Sequence, residues 1–142
     1  MFKSLPTWAK RGSFFYDGSV KKGTIIRFGQ NGKKQITADK YLDLLKEFSG
    51  QLVDIGASTR TPPAAGSVGA WLMENVTKAT AIASYVGPIL VEEGYAEKVG
   101  PSELRFNSDY TVRYLLDTVT IDLVAYPHPD ENFVPVTFMG IL

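Results

Sequence analysis

Two tight-turn signals near the start of the chain constrain its fold more than any other feature. Asp17-Gly18 and Asn31-Gly32 are pairs that readily adopt the positive φ angles of two-residue hairpin turns. The residues beside them, Phe-Phe-Tyr at 14–16 and Thr-Ile-Ile at 24–26, are aromatic or β-branched and favour strands. The sequence therefore predicts a small antiparallel meander over residues 13–36.

A helix is predicted directly after the meander. Thr37 is a favourable N-cap, and Ser49-Gly50 is a favourable helix end. Between them, apolar residues recur at i, i+3, i+4 and i+7, which places them on one helical face: Tyr41, Leu44, Leu45 and Phe48. Residues 51–55 follow as a candidate strand.

The middle of the chain is predicted to be helical after an irregular loop. Residues 56–66 contain Pro62-Pro63 among small residues, which indicates a bend or a linker. Ser67 is placed to cap a short helix, and apolar residues at helical spacing predict another helix over 77–94. Because Pro88 in this stretch lacks a backbone N–H, we expect a kink there or two short helices.

Strands are predicted again further along the chain. Residues 95–99 and 103–106 flank a Gly-Pro-Ser turn and predict a hairpin. A short helix is expected from Ser108. Residues 118–126 alternate between apolar and polar, and 133–139 form a last strand, so a C-terminal β-hairpin is predicted, with Pro135 marking an edge strand.

Residues 67–106 resemble a winged helix-turn-helix. The resemblance rests on a helix over 67–75, a break at Thr77-Lys78, a helical stretch that ends in Ile-Leu-Val-Glu-Glu-Gly at 89–94, and a hairpin that would be the wing. It implies a small adaptor or nucleic-acid-binding module. However, residues 80–94 contain no Lys or Arg, whereas helices that read DNA offer such side chains to bases and phosphates. The resemblance therefore says more about fold than about DNA binding.

The fold class predicted for the whole chain is α+β in a single domain. Its expected parts are a basic arm (1–11), a β-meander plus helix (12–55), a Pro/Gly loop (56–66), a winged-helix-like part (67–106), and a short helix plus β-hairpin (107–142).

Charge is distributed very unevenly along the sequence. Residues 1–37 contain eight Lys or Arg against one Asp, a net charge of +7, and residues 38–142 carry a net charge of −7. Such asymmetry bears on association with a partner rather than on fold. It predicts that the basic N-terminal part is the surface that meets a partner.

The basic, aromatic meander is the main candidate site. Aromatic side chains can stack on bases while Lys and Arg hold the phosphates, and Phe14, Phe15, Tyr16 and Phe28 alternate with the bases. The candidate nucleic-acid-binding residues are Lys10, Arg11, Lys21, Lys22, Arg27, Lys33 and Lys34. Two alternatives remain open: the aromatic residues are core and the lysines are solvated, or the bases meet an acidic protein surface, including that of a second copy.

A weaker candidate is the loop after the strand at 51–55. Ser58, Thr59 and Arg60 combine hydroxyl groups with one guanidinium and are a candidate anion-binding site. The alternative is a plain connection between two parts of the chain.

Most catalytic classes lack support in this sequence. The chain has no cysteine and one histidine, His128, which lies between two prolines as in an exposed turn. No Ser/His/acid arrangement, metal-ligand cluster or phosphate-binding loop is recognisable. We therefore expect a non-enzymatic cytoplasmic protein without cofactor or metal, whose partner is DNA or RNA and not a membrane. The alternative is an assembly module, such as a homodimer that uses the edge strand at 133–139.

Overall fold

The structure is a computed structural model that describes residues 2–58, 62–78 and 81–115. The chain divides into two compact units, Met1–Tyr110 and Thr111–Leu142, and the features below belong to the first. In the second, residues 111–115 continue a helical stretch that begins at 110. The predicted C-terminal β-hairpin and His128 lie outside the described residues. That the whole chain forms one domain stays a prediction.

The chain contains both helices and antiparallel strands, and four of the strands form a meander of their own before the first helix. The protein therefore belongs to the α+β class, as predicted. The strands are β1 (Lys3–Pro6), β2 (Ser13–Ser19), β3 (Gly23–Phe28), β4 (Gly32–Thr37), β5 (Leu52–Asp54), β6 (Ala96–Val99) and β7 (Glu103–Phe106). The helices are α1 (Ala38–Phe48), α2 (Val68–Asn75) and α3 (Ala83–Glu92).

The four N-terminal strands form an antiparallel meander in the order β1-β2-β3-β4. The meander is one strand larger than expected, because Lys3–Pro6 pairs with β2 instead of forming a loose arm. The first turn also lies further along than Asp17-Gly18. Both of these residues are in β2, opposite Ile25 and Thr24, and the chain reverses at residues 20–22. Gly18 still adopts a positive φ, of 94°, but within the strand.

The second sheet has three strands in the order β5-β7-β6, and both of its pairings are antiparallel. Helix α1 precedes β5, and α2 and α3 connect β5 to the β6–β7 hairpin. Both predicted caps are present: Thr37 Oγ1 accepts a hydrogen bond from Lys40 N at 3.4 Å, and Ser67 Oγ accepts one from Ala70 N at 3.1 Å. The predicted apolar face of α1 is buried.

Helix α3 runs without a break through Pro88, where a kink was expected. Proline at position 88 cannot donate to the carbonyl four residues earlier, which is that of Ser84. That carbonyl instead accepts a hydrogen bond from Trp8 N, at 3.0 Å, in the β1–β2 connection. The missing donor within the helix is thus replaced by one from the meander.

One face of the meander packs against α3. We call it the inner face; it consists of the strand positions that include the buried residues Phe14, Tyr16, Thr24, Ile26 and Ile36. The Tyr85 ring lies 5.1 Å from that of Phe14 and 4.8 Å from that of Phe28, measured between centroids.

A carboxylate at the end of α3 completes this contact. Glu93 accepts two hydrogen bonds of 2.9 Å each, from the Tyr16 hydroxyl and from Val20 N. Burial and then the neighbouring Glu93 charge raise the pKa of Tyr16 above its ordinary value, so its hydroxyl remains a donor. The meander is therefore joined to the helical part by polar as well as apolar contacts.

Candidate nucleic-acid interface

Strand alternation gives the meander a second face, which points away from α3. We call it the outer face; it consists of the strand positions that alternate with those of the inner face. Phe2 is included because it lies two residues before Ser4, which is an outer-face position of β1. One row crosses all four strands, because Ser4 pairs with Phe15, Phe15 with Arg27, and Arg27 with Lys33. An aromatic ring and two cations are thereby placed side by side.

Two aromatic side chains are exposed on the outer face. Phe15 is 50% exposed, although it lies between two buried aromatic residues in β2, and Phe2 is 39% exposed. The Arg27 guanidinium carbon lies 5.2 Å from the centre of the Phe2 ring, within the range of a cation–π contact. Arg27 therefore contacts Phe2 and is also the cross-strand partner of Phe15.

The far end of the outer face carries another cation. Lys22, in the β2–β3 turn, lines a shallow hollow of about 330 Å³ together with Ile25 and Gln35. Asp17 is the outer-face carboxylate among the described residues of β1–β4, and it is half-buried and accepts a hydrogen bond from Gly18 N at 2.9 Å. Cations thus outnumber carboxylates on this face.

The other predicted binding residues lie elsewhere. Lys34 pairs with Ile26 and so belongs to the inner face, at the β4 edge, although Lys33 beside it is on the outer face. Lys21 is half-buried in the β2–β3 turn. Lys10 lines a small hollow with Pro88 and Glu92 of α3. Arg27 and Lys33, with Lys22 at the far end of the same face, are therefore the part of the predicted set that shares one surface.

Arg11 lines a different and larger cleft, of about 720 Å³. The cleft lies between the β1–β2 connection and the loop after β5, and Asp54 and Ser58 are also in its lining. Ser58 and Arg11, predicted in two separate sites, are thus brought together. Thr59 and Arg60 lie outside the described residues, so the anion-binding site stays a prediction.

Helix α3, which corresponds in the winged-helix resemblance to the helix that reads DNA, is covered by the meander. All ten of its residues are described, and Glu92 alone among them is exposed. A Cβ atom on Gly87 would lie 2.7 Å from Trp8 Cε3, which shows how closely the tryptophan approaches the helix. This helix cannot enter a DNA groove without removal of the meander.

Phe2 was missed from the sequence because residues 1–11 lacked a recognisable period. Once β1 is known to be a strand, its period of two puts Phe2 and Ser4 on one face and Lys3 and Leu5 on the other.

Comparison of the chain with known protein families, with characterised proteins and with solved structures gave no match. In the part of the chain that the structure describes, no helix is long and apolar enough to cross a membrane. Within the same residues, no three His, Cys, Asp or Glu side chains come together as they would to hold a metal ion.

Proposed function

We propose that this chain is a non-enzymatic cytoplasmic nucleic-acid-binding protein that uses the outer face of the meander. The observation that carries the proposal is the row of Phe15, Arg27 and Lys33 across adjacent strands, with Phe2 beside Arg27. Exposed aromatic rings and cations on one sheet face are the two groups that nucleic acids require, for bases and phosphates respectively. The absence of cysteine is compatible with a reducing compartment.

We also propose that residues 37–107 form a winged helix-turn-helix module, a longer span than the sequence suggested. The order α1-β5-α2-α3-β6-β7 and the pairing of β5 with β7 support this reading. Because the meander covers α3, the module serves here as a scaffold that holds the meander rather than as the reader of DNA.

A pair of adjacent lysines gives the sharpest test. Lys33→Ala removes a charge from the outer face, whereas Lys34→Ala removes the same charge from the inner face of the same strand. We expect Lys33→Ala to weaken binding of a labelled oligonucleotide and to reduce the slope of log K against log salt by about 0.7–0.9, the loss of one phosphate contact. Lys34→Ala should leave both quantities close to those of the wild type. Fluorescence anisotropy between 50 and 200 mM salt measures them.

Equal effects of the two substitutions would contradict the assignment of the outer face. Failure of the wild-type protein to bind any oligonucleotide at low salt would reject the function as a whole. In that case the alternative is self-association through the same exposed aromatic side chains, which sedimentation of the protein alone would detect.

A further inference from the structure

We infer that the ligand of the outer face is single-stranded nucleic acid, with successive bases stacked on Phe15 and Phe2 and the phosphates held by Arg27 and Lys33. This inference rests on the proposed function and specifies the ligand. It commits to a strand whose bases are unpaired, in either DNA or RNA, because stacking and phosphate contacts are common to both.

Both rings are exposed to solvent, Phe15 more than Phe2. Half of the Phe15 surface is open to solvent in a strand whose neighbouring aromatic residues, Phe14 and Tyr16, are 1% and 0% exposed. In a duplex the base faces are occupied by neighbouring bases, so a protein ring can stack on them only after the strand is opened. An exposed ring on a sheet face therefore fits an unpaired strand better than a duplex.

The two rings belong to adjacent segments of the meander and have a defined spacing. Phe15 pairs with Ser4, and Phe2 lies two residues before Ser4 on the same face, so the rings occupy diagonal positions on adjacent strands. Diagonal neighbours in an antiparallel sheet lie about 7–8 Å apart. Two rings at this spacing can receive two different bases of one strand.

The phosphates of a bound strand can follow a path between two cationic positions on the outer face. Arg27 and Lys33 are neighbours in one row, and the row of Gly23 and Thr37, next to Lys22, lies four residues along the strands. At ~3.4 Å per residue this separates the two cationic positions by about 14 Å. Between them lies the row of Asp17, Ile25 and Gln35, so the path passes one half-buried carboxylate between its two cationic ends.

The helix that would read a duplex in a winged helix-turn-helix is not accessible here. Helix α3 is buried beneath the meander, and its one exposed side chain, Glu92, is acidic. A carboxylate at this position repels phosphates. Duplex DNA therefore finds no groove-reading element on α3, and the outer face is left as the binding surface.

A second copy of the chain is a poorer occupant of this surface. In a two-fold symmetric contact the same patch meets itself. The Arg27 and Lys33 row would then approach the equivalent row of its partner, with Asp17 as the compensating carboxylate among the described outer-face residues. Such an arrangement is opposed by like charges, whereas a polyanion is attracted.

The test compares ring substitutions on intact protein with labelled 12-nucleotide probes of mixed sequence: single-stranded DNA, single-stranded RNA and the DNA duplex. Phe15→Leu keeps an apolar side chain but removes the ring, and Phe15→Trp keeps a ring. Leu52→Ala is the matched control, because Leu52 is also exposed, by 42%, but lies in the other sheet.

We expect single strands to bind more tightly than the duplex. Phe15→Leu should weaken single-strand binding about 5- to 150-fold, the range for loss of one stacked base. Its salt slope should match that of the wild type, since no charge has changed. Phe15→Trp and Leu52→Ala should bind like the wild type, and the indole introduced by Phe15→Trp should lose fluorescence when single strands bind.

The possible failures are distinguishable. Duplex binding as tight as single-strand binding, with no effect of Phe15→Leu, overturns the single-strand inference but leaves the proposed function standing. Absence of binding to all three probes overturns both. Should Phe15→Leu fail to fold, the indole signal of Phe15→Trp decides, and unchanged emission at saturating single strand rejects stacking.

Discussion

At the scale of single residues, Gly87 determines how closely the meander approaches the helices. A Cβ atom at this position would lie 2.7 Å from Trp8 Cε3 and 2.8 Å from Ile55 Cδ1. Trp8 cannot retreat easily, because its Nε1 donates to Pro101 O at 2.7 Å and its own carbonyl accepts from Lys98 Nζ at 2.9 Å. A glycine inside a helix is unfavourable locally, and here close packing offsets that cost.

The substitution Gly87→Ala is accordingly expected to destabilise the protein although it improves helix propensity. Overpacking costs about 1–3 kcal/mol and the propensity gain is about 1 kcal/mol, so the free energy of unfolding should fall by up to about 2 kcal/mol. Urea denaturation measures the change. Gly12→Ala is the control, since a Cβ there would meet no atom within 4 Å. An increase in stability for Gly87→Ala would show that the approach of Trp8 is not close.

At the scale of elements, the two helix caps allow a comparison of the same interaction in buried and exposed settings. Ser67 is 1% exposed and its hydrogen bond to Ala70 N is 3.1 Å long, whereas Thr37 is exposed and its bond to Lys40 N is 3.4 Å. N-cap removal costs about 0.5–2 kcal/mol. We expect Ser67→Ala to cost about 1–2 kcal/mol and Thr37→Ala about 0.5 kcal/mol, measured by thermal unfolding. A larger loss for Thr37→Ala would contradict this order.

Elements with a strong local signal were predictable from the sequence. The apolar face of α1, both caps and the β6–β7 hairpin each depend on neighbouring residues, and each was found where expected. β1 was missed because its four residues have no clear alternation in burial and are stabilised by pairing with β2. The continuity of α3 at Pro88 was also unpredictable, since the donor that compensates for the proline comes from Trp8, far away in sequence.

The candidate site was predictable in composition but not in arrangement. Once a strand was assigned to β4, its period of two would have separated Lys33 from Lys34. In contrast, the distribution of Lys10 and Arg11 between two separate hollows depends on α3 and on the loop after β5. These contacts join segments that are far apart in the sequence, and no local pattern in either segment indicates the other.

At the scale of the whole molecule, two tyrosines join the meander to different helices. Tyr16 binds Glu93 at the end of α3, and the Tyr41 hydroxyl on α1 lies 2.7 Å from Thr24 Oγ1 on β3. Burial is the main cause that raises the pKa of Tyr41, and the hydrogen bond to Thr24 opposes it. Both hydroxyls are therefore neutral in the folded protein at a pH where a solvated tyrosine ionises.

This coupling predicts a loss of stability in alkali. Below pH 10 neither the folded nor the unfolded state ionises Tyr41, so its contribution is fully present. Above about pH 10 the unfolded chain releases the proton while the folded protein retains it, and the free energy of unfolding falls by about 1.4 kcal/mol per pH unit for each such group. Tyr41→Phe should therefore decline less steeply than the wild type in urea titrations between pH 10 and 11. Identical slopes would contradict the assignment.

The burial of α3 beneath the N-terminal strands also limits how this protein can be dissected. A fragment that starts after the meander would present Tyr85 and the surface around Gly87 to water, and an isolated meander would present Phe14 and Ile26. Each piece would expose the apolar layer that the other covers, which favours aggregation over independent folding. Deletion mapping would consequently report misfolding as if it were lost function, and point substitutions on the intact chain are the informative route.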